Sequence, residues 1–251
     1  MRRVIVTGAL GFIGFHLCEH LLSEGIEVVA IDSDDEATQE EQEEKELRIG
    51  RNALFQLHKQ PFKEINFNGV DTVYHLANKE FKQVEEEKEI LKELMCRLPQ
   101  NVRVIYPSTI EMETDFGKQK RILEAQLKKL VDKLGLSYVI VRVPDLYGPW
   151  QRKEFKDSEY EKAMYVLDAI QGLVLAGQKK INNQIIHLPT LYDIKMSETT
   201  ADQTRRSDEY VKEAKSVLGF IPKVGLDEGL AYYHQHVKQW QKQKRFNEGR
   251  V

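Results

Sequence analysis

Apolar and polar positions follow two alternating rhythms along the first 150 residues. "RRVIVTG" is a β-branched run ending in Gly8, and "FIGFHLCEHLLSEG" then spaces its apolar residues as a helix does, closing on Gly25 as a natural cap. The same alternation follows: "IEVVAID" and "ALFQLH" as strands two and three, "VDTVYHLAN" as strand four, the charged helix "FKQVEEEKEILKELMCRL", and "NVRVIYPST" as strand five. The long helix "DFGKQKRILEAQLKKLVDKLG" and a sixth strand in "LSYVIVRVPDLYGPW" complete the series. Runs such as "VIVTG" and "YVIVRV" barely alternate, which predicts strands buried on both faces, and strands alternating with helices predict a parallel sheet. After Trp150 the rhythm weakens. "SEYEKAMYVLDAIQGLVLAGQ" reads as a helix, "NQIIHLP" as a strand, and "SDEYVKEAKSVLG" and "LDEGLAYYHQHVKQWQ" as two further helices. The acidic runs at 34–46 and 85–93 read as solvated helix faces.

Composition narrows the class. The 251 residues, 41% hydrophobic and 31% charged, suit one large α/β domain with a small appendage. A net charge of −3 gives no general attraction to nucleic acid. The basic, apolar N-terminus resembles a short leader, but Gly8, Gly11 and Gly14 without a small-residue cleavage site point to a strand and a turn. No stretch approaches ~20 apolar residues, so no membrane span is expected. Cys18 and Cys96 read as thiols in a reducing compartment, which predicts a cytoplasmic protein. No metal-ligating set is apparent.

The stretch Thr7-Gly8-Ala9-Leu10-Gly11-Phe12-Ile13-Gly14 lies between a predicted strand and a predicted helix, the context a dinucleotide fingerprint requires. Glycine there permits a tight turn and close backbone approach to a pyrophosphate, at a helix N-terminus whose dipole favours anions. Asp32 ends the second strand, placed to bond the adenosine ribose hydroxyls. Asp34, Asp35 and Glu36 follow, a poor setting for a 2′-phosphate, so NAD is favoured over NADP.

With these residues in place the chain resembles an extended short-chain dehydrogenase/reductase of the sugar-nucleotide epimerase/dehydratase family. "TGALGFIG" resembles that family's TGxxGxxG, "VDTVYHLAN" its GVDxVxHLAA, and "RVPDLYGPWQ" its RPxNVYGPxQ. "MYVLDAI" resembles its YVDDV helix and "AKSVLGFIPKVGLDEGL" its KAxxxLGWxPxxxLxEGL. The resemblance implies an α/β fold with a Rossmann-type doubly wound parallel sheet over residues 1–150, and a reduced C-terminal substrate subdomain over 151–251 partly packed on it. It implies NAD held by Gly8, Gly11, Phe12, Ile13, Gly14, Asp32 and Ser33, with Leu76, Ala77 and Asn78 alongside. It also implies a nucleotide-sugar substrate and a dimer formed by the helices Phe81–Leu98 and Phe116–Gly135.

The catalytic set departs from the family. Its YxxxK falls on "FGKQK", so Phe116 stands at the tyrosine and Lys120 matches the lysine; none of the ten tyrosines has Lys four residues later. Thr109 matches the family's Ser/Thr, and "STIEM" keeps Glu111 but has Ile110 where the dehydratases carry aspartate. Phenylalanine can neither take nor return a proton, and losing a positioned base costs roughly 10²–10⁴-fold. Glu111 is the leading substitute base, with Tyr106 and Tyr147 as alternatives. Lys120 either holds the nicotinamide ribose or is a solvent-facing helical lysine. Arg205 and Arg206 are candidates for a substrate diphosphate. The segments that would build the sugar-nucleotide pocket are shortened, and "LHKQ" ends the third strand where an acidic residue is usual. Three readings follow, in this order: an epimerase, dehydratase or reductase with an altered acid/base; an NAD(H)-binding regulatory protein that acts through a partner; and the same fold without a bound dinucleotide.

Overall fold

A computed structural model describes residues 1–59, 62, 65–77, 84–197 and 205–248. Seven parallel strands form one sheet: β1 (Arg3–Thr7), β2 (Glu27–Ile31), β3 (Phe55–His58), β4 (Thr72–His75), β5 (Arg103–Thr109), β6 (Ser137–Val143) and β9 (Gln184–His187). Two short strands, β7 (Leu146–Tyr147) and β8 (Met164–Tyr165), pair in parallel beside it. The main order is β3-β2-β1-β4-β5-β6-β9, so the winding reverses between β1 and β4, where the carboxyl ends of a doubly wound sheet open into a crevice.

Both faces of the sheet are covered, which is why its strands carry unbroken apolar runs. Val4, Val6, Val28, Ala30, Val139 and Val141 face α1 (Phe12–Ser23) and α6 (Val166–Gln178). Ile5, Val29, Val73, Val104, Tyr106 and Ile140 face α3 (Val84–Arg97) and α4 (Asp115–Leu134). The seventh strand lies beyond residue 150: β9 pairs with β6 from Val139↔Gln184 to Arg142↔His187, and α6 feeds it from the α1 face.

Three elements differ from the sequence pattern. The helix expected over 158–178 is broken into α5 (Asp157–Tyr160), β8 and α6, because Ala163, Met164 and Tyr165 are buried in extended chain beside β7. The apolar spacing does not predict the short helix α7 (Leu191–Ser197). Its start signal is the pair Thr190 and Asp193: Thr190 donates from N and Oγ1 to Asp193 Oδ2 at 2.7 and 2.8 Å, and the Asp193 N–H donates back to Thr190 Oγ1 at 3.1 Å. The helix expected from Ser207 runs as α8 (Arg205–Glu213), then widens into a π turn over Ala214–Leu218.

The acidic run 34–46 is only partly a solvated face. It forms α2 (Gln39–Ile49), which buries Gln42, Lys45 and Ile49. The C-terminal helix α9 (Leu226–Glu248) lies against it, with Gln243 Nε2 donating to Glu44 at 2.6 Å and Lys244 pairing with Glu40 at 2.7 Å. Ahead of α9, the segment is pinned by buried Asp168 of α6, which accepts the N–H groups of Lys223 and Val224 at 3.0 Å each.

Candidate cofactor and substrate site

The turn between β1 and α1 closes on its own backbone. Gly8 is left-handed (φ 68°), its N–H donates to Ile31 O at 2.8 Å, and its carbonyl accepts from Gly11 N–H at 3.1 Å. A Cβ on Gly8 would lie 2.9 Å from Ala77 N, and one on Gly14 only 2.0 Å from Gly8 O. Only glycine fits at either point, and Leu76 and Ala77 run directly over the loop. Among the described residues no side chain caps the N-terminus of α1, which starts at Phe12 and Ile13. Those N–H groups and the helix dipole suit an anion.

Asp32 stands at the mouth of this loop. Its Oδ2 accepts from Leu10 N–H at 2.7 Å and its Oδ1 from Ser33 N–H at 2.8 Å. Buried Lys45 reaches the loop from α2, donating to Leu10 O at 3.0 Å, and its ammonium lies 5.0 Å from the Trp150 ring centroid. Burial lowers Lys45 to about 8. Trp150 is left-handed (φ 68°) and sits edge-on to Phe15, His236 and Trp240, so α1, α2 and α9 meet behind the glycine turn. The sequence pattern does not single out Lys45, whose only signal is a cation inside an acidic run.

A second network joins β1, β4, β5 and α4. Thr7 Oγ1 accepts from the N–H groups of Leu76 (3.2 Å) and Ala77 (3.1 Å), so its own proton goes to His75 Nδ1 at 2.8 Å. Burial first, and the Lys120 charge second, lower His75 to about 3, so it is neutral with its proton on Nε2. The His75 ring stacks on Tyr106 at 5.9 Å. Lys120 donates to Tyr106 Oη at 3.4 Å and to Pro107 O at 3.3 Å. It is 6% exposed, which excludes the solvent-facing alternative. Phe116 is 39% exposed, its ring centroid 5.6 Å from Lys120 Nζ. One turn beyond Lys120, buried Glu124 accepts from Arg142 Nε and Nη2 at 3.1 and 2.8 Å.

Between β5 and α4 the chain makes a tight turn. Thr109 Oγ1 accepts from Glu111 N–H at 3.1 Å, Thr114 Oγ1 donates to Glu111 O at 2.9 Å, and that carbonyl would lie 2.0 Å from a Cβ on Gly117. Glu111 is exposed on the wall of a cleft of about 350 Å³ that Ile110, Asp145, Glu159, Thr190 and Tyr192 also line. Tyr106 and Tyr147 are both buried, which pushes their phenols up, away from any role as a ready base. Ser108 is buried too, and its Oγ makes no hydrogen bond among the described residues. Asn78 and the side chains of Arg205 and Arg206 lie outside the described residues.

The glycine turn, Asp32 and the crossing of Leu76–Ala77 therefore fit a dinucleotide: the cradle is one that any Cβ would fill. Residues 4–112 match the NAD dependent epimerase/dehydratase family. That match takes in less than half of the chain. The chain is similar to the UDP-2-acetamido-2,6-beta-L-arabino-hexul-4-ose reductase of Pseudomonas aeruginosa, 31% identical over 62% of this chain, and spans only 39% of that relative. It is 26% identical to UDP-glucuronic acid decarboxylase 6 of Arabidopsis thaliana, over 91% of this chain and 86% of the relative. In fold it is similar to the UDP-glucuronic acid 4-epimerase of Bacillus cereus solved with NAD. There the TM-score is 0.72 at 21% identity, over 94% of this chain and 96% of the other. The matched family is NAD dependent, and the Bacillus cereus neighbour is solved with NAD. Among the described residues no helix is long and apolar enough to cross a membrane.

Proposed function

We propose that the chain holds NAD(H) across the β1/β4 crevice and is built for reversible oxidation of a hydroxyl on a nucleotide sugar, without a tyrosine base. In this reading Gly8, Gly11, Phe12, Ile13 and Gly14 meet the diphosphate, and Asp32 and Ser33 the adenosine ribose. Leu76 and Ala77 flank the cofactor, and Lys120 holds the nicotinamide ribose. The bound cofactor supplies a hydride acceptor. Thr109 and Glu111 orient the substrate hydroxyl from the end of β5, Glu111 with its carboxylate on the cleft wall. Residues 1–150 serve as the nucleotide-holding domain and residues 151–251 as a reduced substrate side, in a cytoplasmic protein. The observation that carries the reading is the backbone closure at Gly8 and Gly14, which leaves no room for side chains where a pyrophosphate needs close approach.

A second reading has its own support: a ring without a hydroxyl stands above Lys120, as expected of an NAD(H)-holding protein that regulates through a partner. Calorimetric titration with NAD+ and NADH, alone and with UDP-glucose or TDP-glucose, separates the two. Saturable cofactor binding that tightens with a nucleotide sugar is expected of the enzyme. Binding indifferent to sugars supports the regulatory reading, and no cofactor binding overturns both.

The partner surface we favour is a second copy of the chain. α3 exposes Glu85, Glu86 and Glu89, while α4 exposes Lys118, Arg121 and Lys129 with Ile122 among them. Two-fold packing of this pair sets acidic α3 against basic α4 of the other copy. Sedimentation should show a dimer at low salt that weakens as salt screens the surface; a monomer at all salt concentrations removes the proposal.

A further inference from the structure

Lys120 is the lysine of α4 that the crevice network encloses. Its ammonium lies 4.7 Å from the Tyr106 ring centroid and 5.6 Å from that of Phe116, and it donates to the Tyr106 phenol and to the Pro107 carbonyl. Among the described residues, titratable and charged groups around it are His75 on β4, Tyr106 on β5, Glu87 on α3, and Glu124 on α4 with its partner Arg142 on β6. Residues 78–83 lie outside the described residues. Burial lowers Lys120 to about 8, against the opposing pull of Glu87 and then Glu124. His75 is already neutral, so it does not compete for a proton near neutrality.

Position adds a second argument. With Asp32 on the β2 side of the glycine turn, the adenosine half of a dinucleotide lies over β2, and the nicotinamide half must run the other way, over β4 and β5. Lys120 is fastened to Pro107, on β5. The two redox forms of the cofactor share the same diphosphate and differ by one positive charge on the nicotinamide ring. That charge is a like charge to an ammonium and disfavours it.

We propose that Lys120 is the proton carrier of this site, a neutral amine beside NAD+ and an ammonium beside NADH. The inference rests on the reading that NAD(H) occupies the crevice. The equilibrium is Lys-NH3+ to Lys-NH2 plus one proton, which leaves to solvent when the oxidised form binds and is kept when the reduced form binds. One proton is also what oxidation of a hydroxyl to a carbonyl must dispose of, so a lysine replaces the missing phenol as its acceptor. Asp32 and Lys45 answer to the adenosine and diphosphate part, which both forms share, and do not distinguish them.

The test is NMR of the full chain with 13C-labelled lysine ε-carbons, titrated from about pH 6 to about pH 11. The Lys120 resonance is identified by its loss in Lys120→Arg. We expect its midpoint in the free protein to lie well below that of the surface lysines. With NAD+ bound it should lie roughly one to two pH units below its value with NADH bound. A second readout is calorimetry of NAD+ binding in two buffers of different ionisation enthalpy, near pH 8. The wild type should release more protons than Lys120→Met, and the difference should vanish with NADH. Equal midpoints in the two complexes, or a lysine that stays protonated throughout, overturn the proposal while leaving cofactor binding intact. Failure of either form to bind overturns the cofactor reading, and the proposal with it.

Discussion

Gly14→Ala is expected to destroy cofactor binding and to destabilise the fold by about 3 kcal/mol or more, at the upper end of overpacking effects. The new methyl would lie 2.0 Å from Gly8 O, 2.8 Å from Gly8 C and 2.9 Å from Ala9 Cα, all backbone atoms. None can swing aside as a side chain would. Relief requires opening the turn, which breaks the bond from Gly11 N–H to Gly8 O and moves Gly8 away from Ala77. The turn is also where α1 presents its N-terminus, so distortion misaims the groups that would face a diphosphate. Denaturant unfolding and calorimetric titration with NAD+ measure the two losses separately. Gly225→Ala is the control: a methyl added there would meet nothing within 4 Å, and a change within about 0.5 kcal/mol is expected. A Gly14→Ala protein that unfolds and titrates like the wild type would show the turn to be looser than its geometry.

Phe116→Tyr is expected to raise turnover on a nucleotide sugar by roughly 10²–10⁴-fold, the usual worth of a positioned acid/base. The ring is partly exposed in the first turn of α4, so a hydroxyl can be added without burying an unsatisfied group. The ring centroid lies 5.6 Å from Lys120 Nζ, within reach of that amine, and the positive nicotinamide of bound NAD+ would draw the new phenol below its ordinary value near ~10. Stability should change by less than about 0.5 kcal/mol, because the site is at the surface. The assay is product formation from UDP-glucose and TDP-glucose by wild type and variant at saturating NAD+. A gain marks a substrate cleft that is intact and lacks only its hydroxyl. No gain, at unchanged cofactor affinity, favours the regulatory reading.

The parallel sheet was legible because its strands are buried on both faces and have to be apolar throughout, as "VIVTG" and "YVIVRV" are. The glycine turn was legible for a different reason: steric exclusion at Gly8 and Gly14 admits one residue type, and Asp32 follows at the end of the next strand. What stayed hidden depends on partners distant in sequence. Lys45 looks like a solvated charge until Trp150 and Leu10, remote in the chain, enclose it. The burial of Lys120 has the same character, since its neighbours come from β4, β5, α3 and β6. The break at Ala163–Tyr165 is hidden because apolar spacing over "KAMYVL" continues a helical period across chain that β7 draws into an extended pair. The "TLYD" start of α7, by contrast, is a local signal: Thr190 and Asp193 bond each other with no help from distant chain.

The late seventh strand has a consequence for how this protein is made. β6 ends at Val143, but the strand that covers its outer edge is not complete until His187. On the ribosome, the first six strands of the sheet emerge while Val139 and Val141 lack both β9 and the α6 side chains that seal them. A bare apolar edge of that kind is a template for pairing with other chains. The interval between the emergence of these two strands is therefore when the nascent chain has most need of a chaperone, and slowing translation after β6 has left the ribosomal exit tunnel and before β9 has would prolong its exposure.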